Sequence, residues 1–478
     1  MSDRRDEPVD LSVRFVEAGA EIGIHLDGAG ESVEGRVALE ELEAVATDLE
    51  RLRGGAEDLA PAARDGGRAS GMDGDRAELA RLGQRLFSRL FDGADRALFV
   101  RADDGARREG RPLRLLIKLA HGSPLERIPW EVLHDGRRFL AKDPRCAVVR
   151  YFYDRQEVPA FSVPPPLRIL VTSACPPPQP PLNLAAEVEA VLGPYRDAGK
   201  LVEPPEVLRD VSLERLEGVW RAAEARRKPF HVWHHCGHGH LTRSAGGPRF
   251  LLSLERRGVA EYATVDQLSE IVSACPELRL AVLNVCHGGS SLGLMPELAR
   301  LNVPVVIGYA TRVAYDAAYK FAAVLHRCLL DLPIEFAVSQ ARWALALEPA
   351  MELEWCAPLL CSRRKDWGPI LCRPAVARTA GPVKRLPRGV AVEARDIIAA
   401  GRVEITGVEN AGGSRPSEAG DRVQVRASGI RGGSVAIRGV RNLGGFSSRQ
   451  IRVREERMQE LLKELGSAFA AGGGQHGS

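Results

Sequence analysis

The sequence predicts an α/β protein built on a mainly parallel β-sheet with helices on both faces. Between residues 112 and 372, short apolar runs of strand length, such as VPVVIG at 303 to 308, alternate with amphipathic helical segments. Strands that are buried on both faces are continuously apolar, whereas strands with one solvent-exposed face alternate apolar and polar residues. Continuous apolar runs separated by helices are therefore typical of a parallel sheet that is covered on two sides.

The composition is that of an ordinary globular protein with two or three domains. Of the 478 residues, 45% are hydrophobic and 27% are charged. The net charge of +3 is the small difference between 66 basic and 63 acidic residues, so charge gives no argument for binding nucleic acid or an acidic membrane surface. The N-terminus MSDRRDEPVD lacks the apolar core of a signal peptide, and no apolar run is long enough to span a bilayer. We expect neither nucleic acid nor membrane as a partner.

The nine cysteines are scattered, and no two of them have CxxC spacing. An odd number of unclustered cysteines is the usage of a reduced protein rather than of a disulfide framework. We therefore expect a cytoplasmic protein in which one thiol can be chemically special.

Residues 1–84 predict a small α/β lead-in region. The segment LSVRFVEAGAEIGIHLDG alternates as in a β-hairpin, and VALEELEAVATDLERL repeats its apolar residues at helical spacing. The interval GGAEDLAPAARDGGRASGMDGD is rich in Gly, Ala and Asp, which favours a surface loop. A second amphipathic helix, RAELARLGQRLFSRLF, follows it.

From residue 112 onward, predicted strands and helices alternate. Buried strands are predicted in RPLRLLIKLA, VPPPLRILVTSA, PFHVWHH, LRLAVLNVC and VPVVIGY. Helices are predicted in AAEVEAVLGPY, TVDQLSEIVSAC, LMPELARLN and AAYKFAAVLHRCLLDL. The proline-rich segment PPPQPPLNL before the first of these helices is typical of a rigid connector.

The C-terminal part of the sequence has a different composition. Residues 373–400 are rich in Pro and Arg and predict a linker. Within residues 401–446, VEITGVENAGG and VAIRGVRNLGG match at seven of eleven positions, and VQVRASGIRGG is a weaker third copy. This Gly-rich β-repeat predicts a hairpin array or a few coils of β-solenoid, and it is a candidate for docking or self-association. Residues 447–478 predict an amphipathic helix and a disordered tail.

The segment HVWHHCGHGH, residues 231 to 240, holds five histidines and one cysteine. Zinc needs three or four ligands that converge on one point, but β-branched and aromatic residues followed by glycines favour a strand and then a loop. Because residues on a strand alternate between faces, this segment is not expected to close a chelate, and we predict no metal site. His231, His235 and His240 are expected to be half-buried strand residues that bond to the backbone.

His238 differs from the other histidines because glycines flank it. Glycine on both sides lets the backbone turn sharply and lets a substrate approach closely. In LRLAVLNVCHGGSS, residues 278 to 291, a second buried strand runs into Cys286 and then into a turn of small residues. An imidazole beside a thiol takes up its proton, and the main-chain N–H groups of Gly239 and Cys286 would face the same pocket.

These residues resemble those of CHAT domains, the bacterial relatives of caspases and separase. HHCGHG resembles the His-x-x-Gly-His-Gly signature, and LAVLNVCHGGSS resembles the strand and turn around the catalytic cysteine. The resemblance is collinear over residues 85–372. It implies a caspase-like peptidase domain with His238 as general base or acid, Cys286 as nucleophile, and oxyanion N–H groups from Gly239 and Cys286. It implies no cofactor.

The resemblance is weaker after the strand VVIG. Many relatives have a Trp there, where this chain has ATRVAYD. Some relatives place an acidic residue nearby to receive a basic substrate side chain, and Asp316 is the nearest candidate for substrate binding. A surface aspartate that caps the following helix is the alternative interpretation.

The resemblance predicts a cysteine endopeptidase that cleaves a protein partner, in regulated bacterial defence or cell death, after activation by a sensor protein. Two alternatives stay open. The first is a catalytically idle scaffold that binds a partner protein. The second is a Cys-His amidohydrolase or acyltransferase acting on small molecules, which the absence of a G-x-C-x-G elbow disfavours.

Overall fold

The structure is a computed structural model that divides into two compact units, Met1–Thr379 and Ala380–Ser478. In the first unit it describes residues 7–18, 21–28, 30–57, 69–152, 158–196, 198–244, 247–290, 293–301, 303–364 and 367–372. In the second unit it describes six short strands between residues 391 and 442.

The first unit is a mixed α/β structure. Its strands are β1 (Val9–Ala18), β2 (Glu21–Gly28), β3 (Glu31–Ala38), β4 (Leu113–Leu119), β5 (Cys146–Phe152), β6 (Ile169–Ala174), β7 (Glu206–Leu208), β8 (Val232–Gly237), β9 (Gly239–Ser244), β10 (Gly247–Arg256), β11 (Val259–Thr264), β12 (Leu280–Asn284), β13 (Val305–Tyr309) and β14 (Pro358–Ser362). Its helices are α1 (Leu39–Glu57), α2 (Ala69–Leu90), α3 (Ala94–Glu109), α4 (Leu184–Arg196), α5 (Leu213–Ala225), α6 (Val265–Ser273), α7 (Leu294–Arg300), α8 (Tyr315–Leu329) and α9 (Ile334–Ala346).

Eleven strands form one sheet, in the order β3-β2-β1-β4-β5-β14-β13-β12-β8-β6-β7. The pairings β1·β2, β2·β3 and β13·β14 are antiparallel, and the other described pairings in this sheet are parallel. The predicted mainly parallel sheet is therefore confirmed. Because β6, β8, β12 and β13 pair in parallel, these four strands carry their carboxyl ends to the same edge. Strand β14 runs in the opposite direction beside β13.

Helices cover both faces of the sheet, and two neighbouring residues of β8 show this directly. The Trp233 ring lies edge-to-face against Trp220 of α5, with ring centroids 6.2 Å apart. The next residue, His234, points to the other face, where its Nδ1 lies 2.9 Å from Nε2 of His326 in α8. Successive strand residues point to opposite faces, so α5 and α8 pack on opposite sides of the sheet.

The N-terminal strands belong to the same sheet. The predicted hairpin is present as β1 and β2, and β1 pairs in parallel with β4. The Gly/Ala/Asp-rich interval predicted as a loop is helical at both ends, because α1 runs to Glu57 and α2 begins at Ala69. The strands β9, β10 and β11, which form a separate antiparallel sheet, were not predicted.

In the second unit, the described strands form three two-stranded parallel pairs. These strands are Ala391–Arg395 with Gln424–Ser428, Arg402–Ile405 with Ser434–Ile437, and Glu409–Asn410 with Arg441–Asn442. The strand Ala391–Arg395 falls within the predicted linker, residues 373–400. Val403 lies opposite Val435, so the pairing aligns the two sequence repeats. A hairpin array would pair its strands antiparallel and a β-solenoid would pair them in parallel, and both interpretations stay predictions. The predicted terminal helix and tail lie outside the described residues.

In the described part of the chain, the structure contains no helix with the length and apolar character that crossing a bilayer requires.

Candidate active site

The two predicted reactive residues follow neighbouring strands. Strands β8 and β12 pair in parallel, with Asn284 opposite Cys236. His238 lies two residues after Cys236, and Cys286 lies two residues after Asn284. Both residues therefore lie at the same level of the same sheet edge. Carboxyl ends of parallel strands are where open α/β sheets place their chemistry.

The main chains of the two residues meet at Gly239. A Cβ atom on Gly239 would lie less than 3.0 Å from the main-chain oxygen of Cys286, and 2.8 Å from the Phe250 ring. A Cβ atom on Gly237 would lie 2.6 Å from the oxygen of Ala174, at the end of β6. Neither glycine is among the residues with positive φ. These glycines therefore allow three strand ends to approach closely, and they do not serve the sharp turn that the sequence suggested.

The imidazole of His238 is held by the connector between β6 and α4. Its Nε2 lies 2.9 Å from the main-chain oxygen of Pro180 and 3.7 Å from Sγ of Cys175. A carbonyl oxygen can only accept a hydrogen bond, so Nε2 carries a proton and donates it to Pro180. In the neutral ring this leaves Nδ1 as the basic nitrogen. The orienting group for this histidine is thus a main-chain carbonyl.

Cys286 stands before a tight turn. It is half-buried, and its Sγ lies 4.0 Å from the main-chain oxygen of Val313. The next residue, His287, has a φ of 59°, a left-handed conformation that is uncommon for a residue with a side chain. Burial and the nearby charge of Arg312 lower the pKa of His287. This side chain is therefore neutral near pH 7.

Main-chain N–H groups after Cys286 are already bonded to carbonyl oxygens. The N–H of His287 donates to Thr311 at 3.1 Å, and the N–H of Gly289 donates to Tyr309 at 2.9 Å. These two donors fix the loop and are not directed at a bound substrate. This arrangement is compatible with the oxyanion donors that the sequence predicts, Gly239 and Cys286.

The three histidines that were expected to bond to the backbone behave differently from one another. His231 is half-buried and accepts a hydrogen bond from a main-chain N–H at 3.1 Å, as predicted, although it lies just before β8 and not within the strand. The expectation is wrong for the other two, because the ring of His235 lies 2.8 Å from the Thr172 hydroxyl and that of His240 lies 3.3 Å from the Ser253 hydroxyl. Burial lowers the pKa of His231 to about 4 and that of His235 to about 3, so both rings are neutral.

The loop after β13 is fixed from the N-terminal region. The buried guanidinium of Arg53 donates to the main-chain oxygen of Arg312 at 2.9 Å and pairs with Glu354 at 3.2 Å. The following residue is Val313, whose oxygen lies near the Cys286 sulfur. Residues of α1 therefore help to position the loop beside Cys286.

Asp316 lies in the first turn of α8, three residues after Val313, and it is exposed. The N-cap of α8 is Ala314, which makes no side-chain capping bond. Asp316 is therefore not the capping residue, although a carboxylate in the first turn interacts favourably with the helix dipole.

A buried cluster of Glu187, His234 and Cys236 lies on the same sheet edge, and the sequence analysis missed it. One ligand atom from each residue lies within 4.8 Å of the other two, as in a metal site. Neighbouring residues of a strand point to opposite faces, but His234 and Cys236 are two residues apart and therefore share a face. Helix α4 supplies the third side chain.

A signal for Glu187 is present in the sequence. In α4 the buried residues are Glu187, Val188, Val191 and Tyr195, so the carboxylate lies on the apolar stripe of the helix. A charged residue on such a stripe is rarely buried without a partner. This pattern predicts a polar contact beneath the helix, although it does not identify the partner.

The CHAT domain family model matches residues 80–374, which is more than half of the chain. The chain belongs to the CHAT domain family. The match begins within α2 and ends shortly after β14, so the CHAT domain includes β8, β12 and the helices that pack on them.

The chain also matches solved structures at low sequence identity. A chain of the Saccharomyces cerevisiae separase–securin complex is 10% identical with a TM-score of 0.45, and the match covers 75% of this chain and 30% of that one. A secreted C11 cysteine protease from Bacteroides thetaiotaomicron, in complex with an irreversible peptide inhibitor, is 12% identical with a TM-score of 0.27, covering 38% of this chain and 58% of that one. No curated protein matches the sequence. The family assignment rests on the CHAT domain match.

Proposed function

We propose that the CHAT domain is a cysteine endopeptidase in which Cys286 is the nucleophile and His238 is the general base. The observation that carries this proposal is the close approach of the two strand ends, where Gly239 packs against the main-chain carbonyl of Cys286. The parallel register of β8 and β12 supports the proposal, because it brings His238 and Cys286 to the carboxyl ends of adjacent strands. A thiol beside a base is the arrangement that nucleophilic catalysis needs.

In the proposed reaction, Nδ1 of His238 takes the proton of the Cys286 thiol. The thiolate attacks the carbonyl carbon of the scissile peptide bond, and the N–H groups of Gly239 and Cys286 bind the resulting oxyanion. The imidazolium then returns its proton to the leaving amine as the C–N bond breaks. Water, deprotonated by the same histidine, hydrolyses the thioester and restores the thiol.

The Pro180 carbonyl supports this cycle in two ways. It accepts the hydrogen bond from Nε2 of His238, which fixes the tautomer with a basic Nδ1. It also presents a partial negative charge to the ring when both nitrogens carry protons. A main-chain oxygen thus takes the orienting role that a carboxylate has in many catalytic triads.

Alkylation of the folded chain by an electrophilic thiol probe, followed by peptide mapping, tests which thiol is the nucleophile. We expect Cys286 to react faster than the other cysteines, because most of them are buried and burial raises the pKa of thiols such as Cys275 and Cys361. His238→Ala should slow the labelling of Cys286. Preferred labelling of Cys175, whose sulfur lies 3.7 Å from Nε2 of His238, would assign the nucleophile to Cys175 instead.

We propose that Asp316 receives a basic substrate side chain. It is exposed and lies three residues beyond the carbonyl that faces the nucleophile. Asp316→Asn should lower kcat/KM for cleavage after Arg or Lys by about 10- to 100-fold, the effect of removing one charged hydrogen-bond partner. Asp331→Asn, at the opposite end of α8, is the control and should leave the profile unchanged. Profiling with a peptide library measures both, and equal profiles for the two variants would contradict the assignment.

We further propose that the peptidase acts in a regulated bacterial defence or cell-death pathway, in the cytoplasm, and is switched on by a sensor protein. The free state of all nine cysteines supports a reducing compartment. Bacteria that carry the wild-type gene should survive phage challenge better than bacteria that carry Cys286→Ala. Equal survival of the two strains would count against a defence role for the cleavage.

For the second unit we propose a short β-solenoid that docks a partner or a second copy of the chain. The parallel pairing of the sequence repeats supports this proposal. Strand edges pair readily with other chains, so an element of this kind can dock a further strand. Light scattering of the full chain measures its association. A monomer at every concentration would contradict self-association.

A further inference from the structure

The buried cluster of Glu187, His234 and Cys236 has no role in the proposed peptidase reaction. His234 and Cys236 are fully buried, and Glu187 is 2% exposed. Strand β8 supplies the two residues that share a face, and α4, which packs on that face, supplies the carboxylate. The three side chains therefore converge from two elements on one point in the interior.

The orientation of His234 directs one ring nitrogen into the cluster. Its Nδ1 lies 2.9 Å from Nε2 of His326, and Nδ1 of His326 lies 2.5 Å from the Tyr195 hydroxyl. Its Nε2 lies 3.9 Å from the carboxylate of Glu187. A histidine that bonds a neighbour through one nitrogen and points the other at a thiol and a carboxylate has the geometry of a metal-bound histidine.

Several buried polar atoms around the cluster are unsatisfied. Within the described residues, Nε2 of His234, Oδ1 of Asn284 and the hydroxyl of Tyr309 have no hydrogen-bond partner. Asn284 lies opposite Cys236 in the sheet, so its side chain is on the same face, and its Nδ2 donates to Glu187. Buried polar groups without partners are costly, and they point to a missing ligand.

We propose that Glu187, His234 and Cys236 bind a Zn²⁺ ion. Thiolate, imidazole and carboxylate are the ligands that zinc prefers, at about 2.3, 2.0 and 2.0–2.2 Å. Ligand atoms around tetrahedral zinc are about 3.5 Å apart. The present spacing of at most 4.8 Å therefore needs only small side-chain movements.

The charges of the cluster match those of zinc. No lysine or arginine among the described residues pairs with Glu187. On binding, the Cys236 thiol releases its proton to solvent, so that one thiolate and one carboxylate neutralise the two charges of Zn²⁺. Oδ1 of Asn284, a buried oxygen without a hydrogen-bond partner in the described part of the chain, is a candidate for a fourth donor. The hydrogen-bonded pair His326 and Tyr195 would orient the His234 ring from behind.

The zinc site is separate from the catalytic pair and does not depend on the proposed peptidase reaction. Its ligands come from β8 and α4, so a bound ion would tie the strand that ends at His238 to the helix that follows the proline-rich connector. The site would therefore stabilise the fold beneath the catalytic edge.

Elemental analysis of the full chain tests the proposal, with Cys286→Ala as the background that removes the catalytic thiol. We expect about one zinc per chain in the wild type and in Cys286→Ala, and a loss of at least tenfold in Cys286→Ala/Cys236→Ser. The matched control is Cys286→Ala/Cys361→Ser, which removes another fully buried strand thiol and should keep its zinc. Zinc that is lost in Cys286→Ala but kept in Cys236→Ser would place the ion at the catalytic pair and overturn the proposal.

A second measurement covers the case in which the Cys236 variant does not fold. The Cys286→Ala chain is stripped with a chelator and titrated with Co²⁺. One equivalent should produce a sulfur-to-cobalt charge-transfer band, and the melting temperature should rise. A chain that purifies without zinc and binds no cobalt after stripping would show that the cluster is only a hydrogen-bonded network.

Discussion

Cys286→Ala should abolish proteolysis while leaving the fold intact. Without the sulfur no thioester forms, and removal of the nucleophile from comparable hydrolases lowers turnover by roughly 10⁴-fold or more. Cys286 is half-buried beside a turn, so the free energy of unfolding should change by no more than about 1 kcal/mol. Mass spectrometry of host proteins incubated with wild type or variant would measure the new protein termini.

The control for this experiment is Cys372→Ala, which removes an exposed thiol outside the proposed site. It should generate the same termini as the wild type. Cleavage by Cys286→Ala at the wild-type rate would refute the assignment of the nucleophile. Absence of new termini with the wild type, together with a Cys286 that does not react with the thiol probe, would favour the idle scaffold or a peptidase that its sensor protein has not yet switched on.

Gly239→Ala should impair catalysis strongly, although the substitution adds only one methyl group. The added Cβ would collide with the main-chain oxygen of Cys286 and come within 2.8 Å of Phe250. The strand ends must move apart, and misplacement of reacting groups by about 1 Å can cost roughly 10²-fold in rate. Overpacking should also lower the free energy of unfolding by about 1–3 kcal/mol.

The control is Gly218→Ala in α5, where an added Cβ meets no atom within 4 Å. This variant should keep full activity and gain about 0.5–1 kcal/mol of stability, because alanine favours a helix more than glycine does. Peptidase assays and thermal unfolding of both variants measure the two effects. Full activity in Gly239→Ala would show that the strand ends tolerate separation and would remove the observation on which the proposed site rests.

The sequence predicts those parts of the fold whose signal is local. The strand before Cys286 is apolar up to Asn284, and the strand before His238 is buried although it contains two histidines. The glycines that follow these strands mark where each strand meets other main chains. The hairpin of β10 and β11 also has a local signal, because Phe250, Leu252 and Leu254 alternate and are buried. The turn at Arg257 and Gly258, both with positive φ, completes that pattern. These two strands were not among the predicted elements, although the local signal for them is present.

Other features of the site depend on which strands and helices become neighbours in the fold. No local pattern in a single sequence predicts these neighbours. The Pro180 carbonyl reaches His238 only because the β6–α4 connector passes over the end of β8. Glu187 meets Cys236 for the same reason, through a helix that packs across the strand. The reversal of direction at β14 is likewise a property of the sheet order rather than of any local pattern.

The connector that orients His238 has a further chemical property. Its residues 176 to 181 include five prolines, none of which has a main-chain N–H. The remaining N–H, on Gln179, already donates to the oxygen of Pro176 at 3.1 Å. The segment therefore offers acceptors and no main-chain donors. An extended chain lying against it could not form a β-ladder, because a ladder needs donors from both strands. The connector thus prevents strand addition beside His238, so that a peptide there is held by its own N–H groups and its side chains.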